Sequence, residues 1–430
     1  MRKILLLTLG LLGLALAVST LTLPAQAQYG TLSIGTIVAA KDPIACPGGG
    51  WFHYGPQAQY VLCFGAIVSN CPGANALNLT FGYLDPVGIV PGVTQEKGVI
   101  VLHSGQDGTS PAGDDVGISD GDSAFAGYYF GQGYVVVEVA WDSAWEATQD
   151  PFPVTTPPTY GNVQLAACRP ATFFNYVFNN IYLPIYNNIN PQAGMCGHGF
   201  SAGSAALAYS MAYYKPPSAT PQWWWDNVEL LAGPAVSDMK QGCKKPLAQS
   251  VTVCGSGQWG CPQNTASWTG PPEFVGPAAG WVGAWTNDGA CANPNVQLTS
   301  PESELRWLQQ SIVDDGTNNP VFSYPHTAMA GWLCRSLGNL QTTSCTTDYH
   351  WNTCPNESSE QGQIFFNNFT QSNTPPVYNL YPVDNCTGPE GVAAGTVLIN
   401  ATNEGGFDAI SQDMAGGPLS PHGAQCQHVH

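Results

Sequence analysis

The chain has 430 residues, 44% of them hydrophobic and only 9% charged, with a formal net charge of −18. With 11 bases against 29 acids, it lacks the Lys and Arg surplus that phosphate backbones and anionic bilayers need, which argues against both as partners. Average proteins are about a quarter charged, so the surface here must be built from Asn, Gln, Ser, Thr, Gly and Pro.

The first element is Met1-Arg2-Lys3, an apolar run from Ile4 to about Val18, and Leu23-Pro24-Ala25-Gln26-Ala27. A basic start, a short hydrophobic stretch and an A-x-A pattern describe a secretory signal peptide over residues 1–27. The expected mature chain starts at Gln28 and is exported, to the periplasm or the medium. Cleavage removes two bases and no acid, moving the charge from −18 to −20. The apolar run is too short to span a bilayer. Fourteen cysteines in an exported chain imply a disulfide framework. No C-x-x-C pair and no H-E-x-x-H occurs, so no metal is expected.

Strands are predicted at Tyr60–Val68 and Ala76–Tyr83, then at Gly98–Leu102, which runs into His103-Ser104-Gly105-Gln106-Asp107-Gly108. Ser123–Gln132 reads as a helix leading into Tyr134–Val139, the most β-prone run of the chain. Cys168–Asn187 is an aromatic-rich helix. Ala193–His198 is a short run of small residues suited to a buried parallel strand. Ser204–Tyr214, free of Gly and Pro and rich in Ala, is a buried helix. Val228–Leu231 follows as a strand. From residue 239 to 320 the pattern breaks up into Cys, Gly, Pro and Trp, with a helix-like Pro301–Val313 near its end. Strand patterning resumes at His326–Leu333, then a helix at Gln361–Phe369 and a last strand at Val377–Val383. Strands alternating with helices predict an α/β protein with a mostly parallel sheet covered on both faces. Core segments 28–238 and 321–430 flank a disulfide-rich cap inserted at 239–320.

Between the small-residue strand and the Ala-rich helix stands Gly199-Phe200-Ser201-Ala202-Gly203, a G-x-S-x-G pentapeptide. Strand, sharp turn, serine and helix make a nucleophile elbow. With the order of core elements, this motif resembles the α/β-hydrolase superfamily, in particular secreted esterases and lipases of the polyester-depolymerase and feruloyl-esterase kind, over most of the chain outside signal peptide and cap. The resemblance implies attack by Ser201 on an ester carbonyl, an acyl-enzyme, and its hydrolysis by water, with no cofactor. It also implies oxyanion donors from the Ala202 backbone and from the loop after the third core strand, at Gly105 or Gln106.

The resemblance places the general base just after the last strand, where this chain has Asp384-Asn385-Cys386-Thr387-Gly388-Pro389-Glu390 and no histidine. Glu390 stands there, but a carboxylate is a weak base for a hydroxyl. If Cys386 pairs with Cys426, the tail brings His428, with His422 and His430, toward Ser201. His350 is the next choice and His326 the last. The acid is expected at Asp348, with Asp238 and Asp384 as alternatives. Trp223, Trp224 and Trp225, together with Trp141, Trp145, Trp259, Trp268, Trp281 and Trp285, line an aromatic cleft or pack the core and cap. The ester-hydrolase expectation, with a small-molecule or polymeric ester as substrate, stands beside two others: a non-catalytic binding protein of the same fold, and an exported serine peptidase.

Overall fold

The computed structural model describes residues 32–47, 59–105, 108–109, 111, 125–146, 163–214, 224–231, 233–234, 311–312, 320, 324, 326–334, 362, 365–366, 378–384, 396–399, 402–418, 420 and 426–428. Eleven strands form one sheet. They are β1 (Thr36–Ala39), β2 (Leu62–Ser69), β3 (Leu77–Leu84), β4 (Gly98–His103), β5 (Val135–Trp141), β6 (Gly194–Phe200), β7 (Asn227–Leu231), β8 (Ala328–Cys334), β9 (Tyr378–Asp384), β10 (Thr396–Ile399) and β11 (Thr402–Gly405). Their order is β1-β2-β3-β5-β4-β6-β7-β8-β9-β10-β11. From β5 through β9 every neighbouring pair is parallel. The flanking pairs at both edges are antiparallel.

The six parallel strands lie where the sequence predicts them, because β4 to β7 are short runs buried on both faces, with β8 mostly buried and β9 half-buried at the margin of the parallel part. The period of two then sorts their side chains between two cores. Val99, Val101, Val135, Val137, Val139, Met195, Val228 and Leu230 face one way. They pack against α3 (Cys168–Val177) and α5 (Ala202–Tyr213). Ile100, Leu102, Val136, Cys196, Phe200, Leu231 and Trp332 face the other way. There they meet α1 (Phe125–Gly131) and α6 (Gly406–Ala415). Two shorter helices, α2 (Val163–Ala166) and α4 (Leu183–Asn188), complete the described set.

Some elements differ from expectation. The helix expected over Cys168–Asn187 is α3 and α4 joined by a π-helical turn at Phe178–Tyr182. Five elements were not expected: β1, β10, β11 and α2 are four residues each, and α6 begins on a glycine. All twelve residues of α5 are buried, so this helix is covered on its outer side too. The signal segment lies outside the described residues. So does the segment 239–320 apart from Ser311, Ile312 and Pro320, among which Ile312 is buried in the larger core and the Ser311 carbonyl accepts a hydrogen bond from the Tyr213 hydroxyl.

Three disulfides hold the described residues: Cys46–Cys63, Cys71–Cys168 and Cys196–Cys426. The last corrects the expected partner of Cys426. Cys196 of β6 points into the α6 face, and the tail returns along that face with the Cys426 N–H donating to the Met414 carbonyl at 3.0 Å. Among the described residues no cysteine is free. The Cys196–Cys426 bridge spans 230 residues, so it removes much freedom from the unfolded chain. We expect peptide mapping to recover the 196–426 pair. Replacing both cysteines by serine should cost about 2–4 kcal/mol in thermal or denaturant unfolding. Recovery of Cys426 linked to Cys386 instead would refute the tail path.

Candidate active site

Ser201 lies between the last residue of β6 and the first of α5, with φ 51° and ψ −111°. A non-glycine residue at positive φ is strained by roughly 1–3 kcal/mol, so the surroundings must hold it there. The Ser201 N–H donates to the carbonyl of Leu231, the end of β7, at 2.7 Å. The Ser204 hydroxyl donates to the carbonyls of Gly199 at 2.7 Å and Leu231 at 2.9 Å. Both motif glycines are required by close approach. A Cβ on Gly199 would lie 2.6 Å from the Gly203 backbone, and one on Gly203 would overlap the carbonyl oxygens of His103 and Ser104. The turn after β6 is thus pressed against the end of β4. Gly105, in that β4 loop, lies so near that a Cβ there would sit 3.3 Å from the Ser201 Cβ.

A serine on a strained strand-to-helix turn, at the carboxyl end of a central parallel strand and flanked by small residues, has the backbone geometry of a nucleophile elbow. The chain has the α/β-hydrolase fold. No family model matches the sequence, and no curated protein does either. Among solved structures the chain overlaps an esterase of Pyrobaculum calidifontis with TM-score 0.34 and 12% identity, over 72% of each chain. It overlaps the carboxylesterase Cest-2923 of Lactobacillus plantarum with TM-score 0.31 and 12% identity, over 73% of this chain and 80% of that one. Thermogutta terrifontis esterase 2 overlaps with TM-score 0.32 and 12% identity, over 74% and 85%. Overlaps this shallow leave the fold resting on strand order and elbow.

Two histidines lie near the elbow, both buried. His103 ends β4, and burial pushes its imidazole down to about 4. Its Nδ1 is 3.0 Å from the Ser104 carbonyl, and its Nε2 accepts from the Trp141 indole at 3.1 Å. His198 points into the α6 face, is pushed down to about 3 by burial, and hydrogen-bonds the Tyr129 hydroxyl through Nδ1 at 2.8 Å. Both are neutral at ordinary pH, and among the described residues no histidine hydrogen-bonds Ser201.

His428 is a correction. Its backbone N–H donates to the Gln192 carbonyl, and its Nδ1 lies 2.9 Å from Asp226 Oδ1. Gln192 and Asp226 precede β6 and β7, whereas Ser201 follows β6. The seven residues of β6 put about 23 Å between them at about 3.3 Å per residue. His428 therefore cannot take the Ser201 proton; it fastens the tail, with the Tyr186 ring 4.8 Å away. His326 also precedes its strand, β8. The side chains of Gln106, Asp238, Asp348, His350, Asp384, Glu390, His422 and His430 lie outside the described residues. Of the tryptophans, Trp141, Trp145, Trp224 and Trp225 are buried in the larger core, so in these four the packing reading holds.

Sequence reasoning missed a buried carboxyl pair. Glu229 of β7 and Asp413 of α6 are 0% and 1% exposed. The Trp332 indole donates to Glu229 Oε2, and the Asn227 amide to Oε1 at 3.1 Å. Burial, then Asp413, holds the Glu229 carboxyl well above the usual carboxylate range. The one signal in the sequence is a lone acid inside an apolar strand.

Two outcomes follow. Gly203→Ala should destabilise by about 1–3 kcal/mol or prevent folding, since backbone carbonyls cannot yield to the added methyl; a Tm unchanged from the parent would disprove the packing. The hydrogen bond that His428 Nδ1–H donates to the Asp226 carboxylate raises the His428 pKa above 6.5, so the stabilisation is complete below about pH 6.5 and fades as pH rises through the raised value. His428→Gln should lower Tm more at about pH 5.5 than at about pH 9, with catalytic rates unaffected.

Proposed function

We propose that the chain is an exported serine hydrolase that cleaves carboxylic esters through an acyl-enzyme on Ser201. The carrying observation is the strained Ser201 with two backbone N–H groups beside it. Ala202 is the first residue of α5, so its N–H has no intrahelical partner and carries the positive end of the helix. The Gly105 N–H makes no hydrogen bond among the described residues. Donors placed in advance where negative charge develops are worth more than any that must reorganise.

His350 is the base in this proposal. β8 and β9 run parallel to β6 through β7, so the chain leaves both strands at the Ser201 end of the sheet. From Asp384 to Pro421 the sequence contains no histidine, whereas the β8–β9 connection holds Asp348 and His350. In this reading the His350 imidazole accepts the Ser201 proton as Oγ attacks the carbonyl carbon. The tetrahedral oxyanion is met by the N–H groups of Ala202 and Gly105, with Gln106 as the alternative second donor. Collapse expels the alcohol with the proton from His350, and water repeats the sequence on the acyl-enzyme. Asp384, the last residue of β9, and Asp348 are the acids proposed to orient the imidazole, ahead of Asp238 and Glu390. His422 and His430 flank Cys426, which is anchored on the far half of β6, and are set aside.

Export rests on the basic-apolar-small start of the chain and on its disulfides. Among the described residues no helix is long and apolar enough to cross a membrane. The missing histidine after β9 favours one other reading, a non-catalytic member of the fold.

Hydrolysis of short p-nitrophenyl esters decides between them. Ser201→Ala and His350→Ala should each lower kcat by about 10⁴ or more, while His428→Ala keeps the parental rate. A fluorophosphonate probe should label Ser201 in the parent protein. Absence of both labelling and turnover would establish the non-catalytic reading.

A further inference from the structure

The loop after β4 is held by hydrogen bonds that the chemistry above leaves unused. Trp141 and His103 are each 1% exposed. An indole N–H donates and never accepts, so the 3.1 Å bond from Trp141 Nε1 makes His103 Nε2 the acceptor. The neutral imidazole must then carry its proton on Nδ1. That proton faces the Ser104 carbonyl oxygen at 3.0 Å. Burial, which keeps the ring neutral, preserves this tautomer. Trp145 and Phe174 close over the ring edge-on at 6.1 and 6.3 Å.

We propose that Trp141 and His103 are positioning residues that pin the Ser104 carbonyl and thereby aim the Gly105 N–H at the oxyanion. A trans peptide is planar, with its C=O and N–H pointing to opposite sides. Fixing the Ser104 oxygen toward the imidazole turns the Gly105 N–H the other way. The same oxygen is confined from a second side, because Gly203 packs on the carbonyls of His103 and Ser104 without room for a Cβ. Gly105 lies against Phe200 and Ser201, and its own carbonyl is occupied by the Gly108 N–H at 2.9 Å. Gly108 in turn accepts from the Trp141 backbone N–H at 2.8 Å. Trp141 therefore grips the loop twice, by backbone and by indole. The inference rests on the hydrolase reading and adds to it the parts that orient one donor.

The test uses the full-length protein and three variants: His103→Leu, His103→Asn and Trp141→Phe. Leucine fills the space without a donor. The amide Nδ2 of asparagine stands about where Nδ1 stands, so it restores the bond to Ser104. Losing one oxyanion donor costs about 10²–10³ in kcat. We expect His103→Leu to fall into that range with KM nearly unchanged, and His103→Asn to recover at least about tenfold of the loss. Trp141→Phe should fall less than His103→Leu, because the ring is then free to change tautomer. Fluorophosphonate labelling should slow in parallel, since its phosphonyl oxygen occupies the same place. Equal loss in the leucine and asparagine variants, with circular dichroism unchanged, would overturn the proposal, as would an effect confined to KM. Independently of activity, ¹⁵N NMR of the parent imidazoles should find His103 protonated on Nδ1, and an Nε2–H tautomer would overturn it outright. An active parent with indifferent variants sinks this relay alone. A parent that neither turns over esters nor labels sinks the hydrolase reading, and with it the role of Gly105.

Discussion

The contact on which the rest of the molecule depends is the backbone-to-backbone approach between the turn after β6 and the end of β4. Gly199 and Gly203 meet each other, and Gly203 meets the carbonyls of His103 and Ser104. No side chain is interposed, so the two strand ends are located to within van der Waals tolerance. The positive φ of Ser201 is a consequence: a turn this tight leaves no room for a relaxed serine. Bonds from Ser201 and Ser204 to the end of β7 offset the strain by spending groups that would otherwise be unsatisfied at a helix start.

The two ends of the sheet then do different things. At the carboxyl end the strands deliver Ser201, Gly105 and the first turn of α5. At the amino end the tail is fastened by the Cys196–Cys426 bridge and by His428 on Asp226. The latter carboxylate also accepts from the Met195 N–H at 2.8 Å, so it ties β6, β7 and the tail together. Fastening at one end leaves the other available for chemistry.

On the α6 face, polar groups are buried where an apolar core would have sufficed. Glu229 and Asp413 face each other between β7 and α6, with Trp332, Asn227 and Ser420 supplying hydrogen bonds. His198 and Tyr129 form a second polar contact in the same layer. Buried carboxyls without partners are costly, and these bonds satisfy the two carboxyls, while Asn227 of β7 donates to the Met414 sulfur of α6 at 3.7 Å.

How much was readable in advance follows from what each feature needs. The central strands β4 to β9, the helix α5 and the serine turn were legible because their signals are local: apolar runs, an Ala-rich stretch, and small residues around one serine. β1, β10 and β11 were not, since four residues toward the margins of a sheet carry too little pattern, and α6 is amphipathic only relative to a sheet that precedes it by many residues. The pairing of Cys426 with Cys386 was expected from a gap where a histidine should stand, and the partner is Cys196 instead, because a disulfide depends on which strands lie side by side. By itself the sequence determined that Ser201 stands on a strained turn between a buried strand and a buried helix, because both flanks are contiguous with it. Only the tertiary structure decided that His428 lies at the opposite end of the sheet and that His103 holds the loop beside Ser201, because distance across a sheet is set by strand order and register, and neither is written in any short stretch of chain.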